Sequence, residues 1–317
     1  MTKRVFLTGG TGFVGANLSR RLLRDGHEVH LLVRPGYADW RIRDIAADVA
    51  IHVLNLDVAS DIEALLLKLS PNWVFHLAAH GAYSFQSDVP EMVRTNYLCT
   101  VNLALACAKA GVEMMINTGS SSEYGVKDHA PSEDEYLEPN SYYSATKSAA
   151  TLFCRHTART SGIPMPTLRL YSVYGPYEDP RRFVPTLLTH AIEKRLPPLV
   201  GPETARDFIY TEDVCDAYLS VANARLADPG AVYNLGSGHQ TTIAQAVASA
   251  MDVFAVTDTP KWGTMSQRSW DTNTWCANVD RIKREIGWQA KVGFRQGLTL
   301  FGEWFAGNKT LHSYYLQ

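Results

Sequence analysis

Short apolar runs alternate with amphipathic stretches through the first half of the chain. Arg4–Leu7 reads as a buried strand. Gly12–Arg24 reads as a helix with Val14, Leu18, Leu22 and Leu23 on one face and Gly26 as its stop. Val29–Val33, Ile51–Leu56, Trp73–Ala78, Met114–Thr118 and Thr167–Val173 read as five further strands. Helical stretches separate most of them, notably Ile62–Leu69, Pro90–Ala110 and Ser144–Ser161. Strands that are apolar throughout, alternating with helices, predict an α/β fold: a Rossmann-type, doubly wound parallel sheet covered on both faces.

The rhythm breaks after Val173. A charged loop runs to Arg182, a helix is expected over Val184–Lys194, and Leu196–Gly201 carries prolines. Asp207–Tyr210, Glu212–Asn223 and Val232–Leu235 read as a return to the main sheet. From Thr241 onward the pattern mixes helix and loop and is rich in tryptophan (Trp262, Trp270, Trp275, Trp288, Trp304), expected as core of a small lobe. Residues 1–174 plus about 206–240 are thus expected to form a dinucleotide-binding domain. Residues 175–205 plus about 241–317 are expected to form a smaller, discontinuous C-terminal substrate lobe.

Composition narrows the function classes. The formal net charge of −2 offers no global attraction for nucleic acid or an anionic membrane. Cys99, Cys107, Cys154, Cys215 and Cys276 are widely spaced without a CxxC pair, which suits a reducing compartment. No apolar run is long enough to cross a membrane, and the N-terminus lacks the apolar stretch of a signal peptide. The cytoplasm is the expected location. The histidines form no ligand cluster, so no metal is expected; His76 and His80 span a strand end, and His76 reads as structural.

Chemistry begins at the first strand–helix turn. Gly9, Gly12 and Gly15 follow a GxxGxxG spacing: a tight turn, a close approach to pyrophosphate, and helix-on-strand packing. The helix N-terminus then aims unpaired N–H groups at an anion. At the end of the second strand an acid would bind the ribose 2′-hydroxyl of NAD. Here Leu32-Val33-Arg34-Pro35 has none, and Arg34 could grip the 2′-phosphate of NADP, so NADP(H) is favoured over NAD(H). The alternative is that Arg34 is a solvated loop residue. Asp57, after the third strand, is placed either for the adenine amino group or for a helix cap.

Tyr143 and Lys147 form a YxxxK element that puts both side chains on one helix face. A lysine ammonium favours the phenolate, which makes the tyrosine a usable acid or base. Tyr142 competes, but its spacing to Lys147 points it elsewhere. Upstream, Gly119-Ser120-Ser121-Ser122-Glu123-Tyr124-Gly125 ends the fifth strand with hydroxyls that could hold a substrate oxygen.

With these motifs assembled, the chain resembles the extended short-chain dehydrogenase/reductase family of nucleotide-sugar epimerases, dehydratases and reductases. TGGTGFVG, the strand end His76-Leu77-Ala78-Ala79, Asn96, SSSEYG and YSATK stand in the family's order and spacing. Leu168–Pro176, Arg206–Tyr210 with Asp213-Val214, and Tyr233–Gly238 are similar to its later motifs. The resemblance implies Ser120, Tyr143 and Lys147 as the catalytic group. It implies a dinucleotide held by Gly9, Gly12, Phe13, Val14, Gly15, Arg34, Asp57, Val58, Leu77, Ala78, Ala79, Asn96, Tyr143 and Lys147. It implies a nucleotide-diphosphate sugar held by Ser121, Ser172, Arg206 and Arg268, and a homodimer paired through Pro90–Ala110 and Ser144–Ser161.

Two departures matter. The family asparagine at position 172 is Ser172 here. The two residues after Ser120 are Ser121 and Ser122, where 4,6-dehydratases carry an acidic pair, and Glu123 stands one place too late. Reduction or epimerisation at C4 is therefore expected over dehydration. SSSEYG is similar to the stretch in GDP-4-keto-6-deoxymannose reductases, and Met265–Trp288 to that of CDP-abequose synthase, which favours a 4-ketoreductase, with a 4-epimerase using tightly bound NAD(P) as the alternative and a 4,6-dehydratase or a non-catalytic dinucleotide sensor behind both. Arg181-Arg182 reads as a solvated loop, with part of a pyrophosphate site as the alternative.

Overall fold

The structure, a computed structural model, describes residues 1–83, 85–266 and 271–316. In chain order, β1 (Arg4–Thr8) leads through the glycine turn into α1 (Phe13–Arg24). Next come β2 (Glu28–Val33), β3 (Ala50–Val53), α2 (Ala59–Leu69) and β4 (Trp73–His76). α3 (Val89–Met92) passes through a π-helical turn (Val93–Leu98) into α4 (Cys99–Ala110), followed by β5 (Met114–Ser120) and α5 (Tyr142–Ser161). Then follow β6 (Thr167–Leu170), β7 (Ser172–Tyr174), α6 (Phe183–Ile192), β8 (Ala205–Arg206), β9 (Phe208–Tyr210), α7 (Thr211–Asn223) and β10 (Val232–Leu235). The chain closes with β11 (Thr241–Thr242), α8 (Ile243–Val253), α9 (Asp280–Ile286), α10 (Phe294–Gly307) and the short α11 (His312–Tyr315).

Seven strands form one parallel sheet in the order β10-β6-β5-β4-β1-β2-β3. The order reverses between β1 and β4, and a doubly wound sheet binds ligands in the crevice beyond the strand ends at that point. The apolar runs explain the sheet. Val5, Phe6 and Leu7 are fully buried, with Val5 and Leu7 in the cluster on one face and Phe6 in the cluster on the other.

Two expectations need correction. Thr167–Val173 is not one strand: β6 ends at Leu170, and Ser172–Tyr174 leaves to pair with Phe208–Tyr210 in a separate two-stranded sheet. Only Val232–Leu235 returns to the main sheet. The hinge is Tyr171, whose N–H still reaches Leu235 O while the Ser172 N–H turns to Asp207 O.

A further apolar cluster gathers Tyr174, Leu187, Leu188, Phe208, Ile243, Val247, Leu298 and Phe301. Ile282 and Trp288, from the C-terminal part of the chain, pack instead with the core of the main sheet. No helix among the described residues is long and apolar enough to cross a membrane.

Candidate active site

A cleft of about 900 Å³ opens over the carboxyl ends of β1, β4 and β5 and runs towards β8 and α8. Its floor is the glycine turn. Gly9 has φ +73°, and a Cβ there would stand 2.5 Å from the Leu77 carbonyl carbon; a Cβ on Gly15 would collide with the Gly9 carbonyl. Only hydrogen fits at both places. Gly12 opens α1 with no side-chain cap and no acid in the first turn, so the first N–H groups of the helix face the cleft. This cradle fits a dinucleotide pyrophosphate. Gly9, Gly12, Phe13, Val14, Gly15, Leu77 and Ala79 line it.

Beneath the cradle, His76 binds β1 to α4. Its Nδ1 lies 2.7 Å from Thr8 Oγ1 and its Nε2 2.8 Å from Thr100 Oγ1. The Thr100 hydroxyl donates to Asn96 O, so it accepts from the His76 Nε2–H, and Nδ1 takes the Thr8 proton. Burial, with Lys147 nearby, pushes the imidazole down to about 3, and it stays neutral. Asn96, fully buried in the π-helical turn, accepts from His80 N and donates to His80 O and Thr146 Oγ1. Thr146 in turn donates to Tyr143 O. Asn96 thus ties the loop after β4 to α5, the helix that carries Tyr143 and Lys147.

α5 begins with a capping box in which Ser141 and Ser144 satisfy each other's N–H groups. That start fixes the first turn. Tyr142, Tyr143 and Lys147 all line the cleft, Tyr142 at 68% exposure and Lys147 buried. Burial pushes the Tyr143 phenol up to about 12, opposed by a hydrogen bond with Ser120, so the proton stays on the tyrosine. Desolvation lowers the Lys147 pKa, and the Glu123 carboxylate works against that shift.

Ser120 closes β5. Its hydroxyl lies 2.7 Å from Ser122 Oγ, and its N–H donates to Glu123 Oε1. The other Glu123 oxygen accepts from Arg169 Nε at 2.9 Å, with both side chains buried. Arg169 also donates to Tyr124 Oη and stacks over that ring, and Tyr124 donates to Asn234 Oδ1. Glu123 therefore belongs to the interior, and Ser120, Ser121 and Ser122 face the cleft.

At the far end, Ser172 and Arg206 line the cleft, and Arg206 donates to Asp271 Oδ1 at 2.7 Å. Arg268 lies outside the described residues. Asp207 accepts from Ser237 N, Ser237 Oγ, Gly238 N and Ala277 N, so this motif aspartate is a structural knot. Arg34, Asp57 and Val58 lie exposed near the carboxyl ends of β2 and β3, away from the cleft lining; Asp57 sits 3.5 Å from Arg94 Nη1. Ala78 donates its N–H to Thr8 Oγ1.

Sequence reasoning missed several wall residues. Arg181 and Arg182, expected in a solvated loop, line the cleft, with Arg181 stacked 3.8 Å over Phe85 and Arg182 5.9 Å from the Tyr83 ring centre. Trp275, expected in a lobe core, is also on the wall. Tyr83 and Glu178 had no motif to flag them; a bulky aromatic soon after the HLAA strand end was the available signal.

Residues 5–236 match the model of the NAD dependent epimerase/dehydratase family, and the chain belongs to that family. It is an enzyme of the extended short-chain dehydrogenase/reductase type. A UDP-glucose 4-epimerase of Mycolicibacterium smegmatis is 28% identical, over 95% of this chain and 98% of its own. A dTDP-glucose 4,6-dehydratase of Streptomyces antibioticus is 26% identical, over 96% and 93%. Among solved structures, MoeE5 in complex with UDP-glucuronic acid and NAD superposes with a TM-score of 0.84 at 29% identity, covering 96% of this chain and 99% of that one. The UDP-glucose 4-epimerase of Thermotoga maritima has the same fold, with a TM-score of 0.86 at 24% identity over 97% and 99% of the two chains.

Proposed function

We propose that the protein reduces the C4 carbonyl of a nucleotide-linked 4-keto-6-deoxyhexose with NADPH. The observation that carries this reading is the withdrawal of Glu123 to Arg169 beside an intact Ser120, Tyr143 and Lys147. The cleft has a proton donor for an oxygen at C4. It lacks a carboxylate on the serine turn to take a proton from C5, which elimination of water would require.

The glycine cradle, Leu77, Ala78 and Ala79 hold the dinucleotide, with Asp57 and Val58 at its adenine end and Asn96 setting the loop behind it. Arg34, at a strand end without an acid, meets the 2′-phosphate. When bound, the cofactor would supply the hydride that turns the C4 ketone into a secondary alcohol. Tyr143 gives its phenolic proton to the C4 oxygen. Ser120 donates a hydrogen bond to the same oxygen and stabilises its developing charge. Lys147 would hold the nicotinamide ribose and, as a cation, favours the phenolate left behind. Ser121, Ser172, Arg206 and Arg268 hold the nucleotide sugar, the arginines on its diphosphate.

A second reading is 4-epimerisation with a retained dinucleotide, favoured by the NAD and UDP-sugar found in MoeE5. Net oxidation of NADPH by a 4-keto-6-deoxy nucleotide sugar separates the two. Stoichiometric loss of NADPH supports the reductase; interconversion of 4-hydroxy epimers without net loss replaces it with the epimerase.

A further inference from the structure

Four residues other than glycine hold a left-handed backbone among those described: Ser70, Tyr177, Lys194 and Ala255. Ser70, Lys194 and Ala255 stand within two residues of the ends of α2, α6 and α8, where such a backbone is ordinary. Tyr177 does not. It is the third residue of the turn Gly175-Pro176-Tyr177-Glu178, which Glu178 N closes by donating to Gly175 O at 3.2 Å. A φ of +68° straight after a proline is the type II pattern, which calls for glycine at that place. A tyrosine persists there only where its surroundings over-determine it.

The surroundings do so, and Tyr177 is 5% exposed. The Arg20 guanidinium of α1 lies 3.9 Å over its ring, and Trp304 of α10 meets the ring edge-on with centres 4.8 Å apart. Tyr177 O accepts from Arg41 Nε on the loop after β2, and Arg41 O accepts from Arg20 Nη2. On either side, Asn17 Nδ2 of α1 donates to Pro176 O, and Tyr315 Oη of α11 donates to Glu178 O. The turn is thus fastened to α1, the helix whose N-terminus belongs to the glycine cradle. Tyr177 is outside the cleft lining, yet Arg181 and Arg182, four and five residues on, are part of it.

Resting on the reading that the cleft holds a nucleotide sugar beside a dinucleotide, we propose that Tyr177 is a positioning residue for the nucleotide sugar: its ring fixes the place of Arg181 and Arg182 relative to the dinucleotide cradle. A nucleotide-diphosphate sugar is an anion, so its affinity depends on where the guanidinium groups of the cleft wall stand. A dinucleotide in the cradle rests on α1 and the glycine turn, which keep their place without the ring. Loss of the ring therefore weakens sugar binding and spares dinucleotide binding.

Calorimetry on wild type and variants reads both ligands. NADP⁺ and NAD⁺ are titrated into free protein, then UDP-glucose, dTDP-glucose, CDP-glucose and GDP-mannose into protein saturated with the tighter dinucleotide. Tyr177→Phe keeps the ring and should bind both ligand classes as wild type does. Tyr177→Ala and Tyr177→Gly should bind the sugar probes about tenfold more weakly, with dinucleotide affinity unchanged. Tyr177→Gly also relaxes the backbone, so it should melt higher than Tyr177→Ala with no recovery of sugar affinity. A merely structural role would make sugar affinity follow the melting temperature. Arg20→Gln, which takes the guanidinium off the ring, should give the same selective loss at about threefold, and it carries the test if the smaller side chains do not fold. Wild-type sugar affinity in Tyr177→Gly overturns the proposal, as does an equal loss for both ligand classes. If a dinucleotide binds but no probe binds the wild type, the nucleotide-sugar reading fails, and this one with it.

Discussion

Glu123 Oε2 accepts from Arg169 Nε at 2.9 Å, and both side chains are sealed from solvent. The pair holds the one acid of the serine stretch out of the cleft lining. It also sets a stability requirement, because removing one partner strands a buried charge. Glu123→Ala should cost about 3–5 kcal/mol in urea unfolding. The double substitution Glu123→Leu with Arg169→Met should recover much of that loss. A single substitution as mild as a surface change would show that the pair is not a buried anchor.

His76 makes stability depend on acid. Its folded pKa is depressed to about 3 by burial, against an ordinary value of 6.5. Between those values the unfolded chain binds the extra proton, so the contribution is complete above about pH 6.5 and is lost as pH falls towards 3. The unfolding free energy should drop by about 1.4 kcal/mol per pH unit from this group in that window. His76→Gln should remove that part of the slope when urea midpoints are compared at pH 7 and pH 5.

Arg34 lies at the end of β2 with no carboxylate beside it in sequence. Wild-type protein should bind NADP(H) more tightly than NAD(H). Arg34→Ala should weaken NADP(H) about 10- to 100-fold, the scale of a charge-assisted hydrogen bond, with little change for NAD(H). Fluorescence titration with both dinucleotides decides it, and equal wild-type affinities would refute the preference.

That Tyr143 and Lys147 share a helix face and that the first turn is a glycine cradle was legible because each depends on local spacing: four residues along one helix, or a turn that admits only hydrogen. The split of residues 167–174 was not. Leu168, Leu170 and Val173 are apolar in either sheet, and nothing local marks Tyr171 as the place where pairing passes from Leu235 to the β9 segment. The cleft wall was hidden for a related reason. Glu178, Arg182 and Tyr83 are far apart along the chain and meet only when the loops after β4 and β7 fold over the same crevice. Asn96 was legible as a motif residue, yet its bonds to His80 and Thr146 required the fold.

Exposed Val93, Leu98, Leu105 and Leu152 lie along the π-helical turn, α4 and α5, the helices expected to pair across a two-fold axis. Light scattering at micromolar concentration should give twice the 35.2 kDa chain mass. Leu105→Glu with Leu152→Glu should shift it towards monomer. A monomer mass for the wild type would contradict the dimer.

On the proposed mechanism Tyr143, and not the neighbouring Tyr142, delivers the proton to the C4 oxygen. The decisive measurement is single-turnover oxidation of NADPH with a panel of 4-keto nucleotide sugars. Tyr143→Phe keeps the ring and removes the proton, so the rate should fall ~10²–10⁴-fold with cofactor affinity nearly unchanged. Tyr142→Phe, at an exposed position of the cleft lining whose spacing to Lys147 differs from that of Tyr143, should match the wild type. A wild-type rate from Tyr143→Phe would contradict the mechanism.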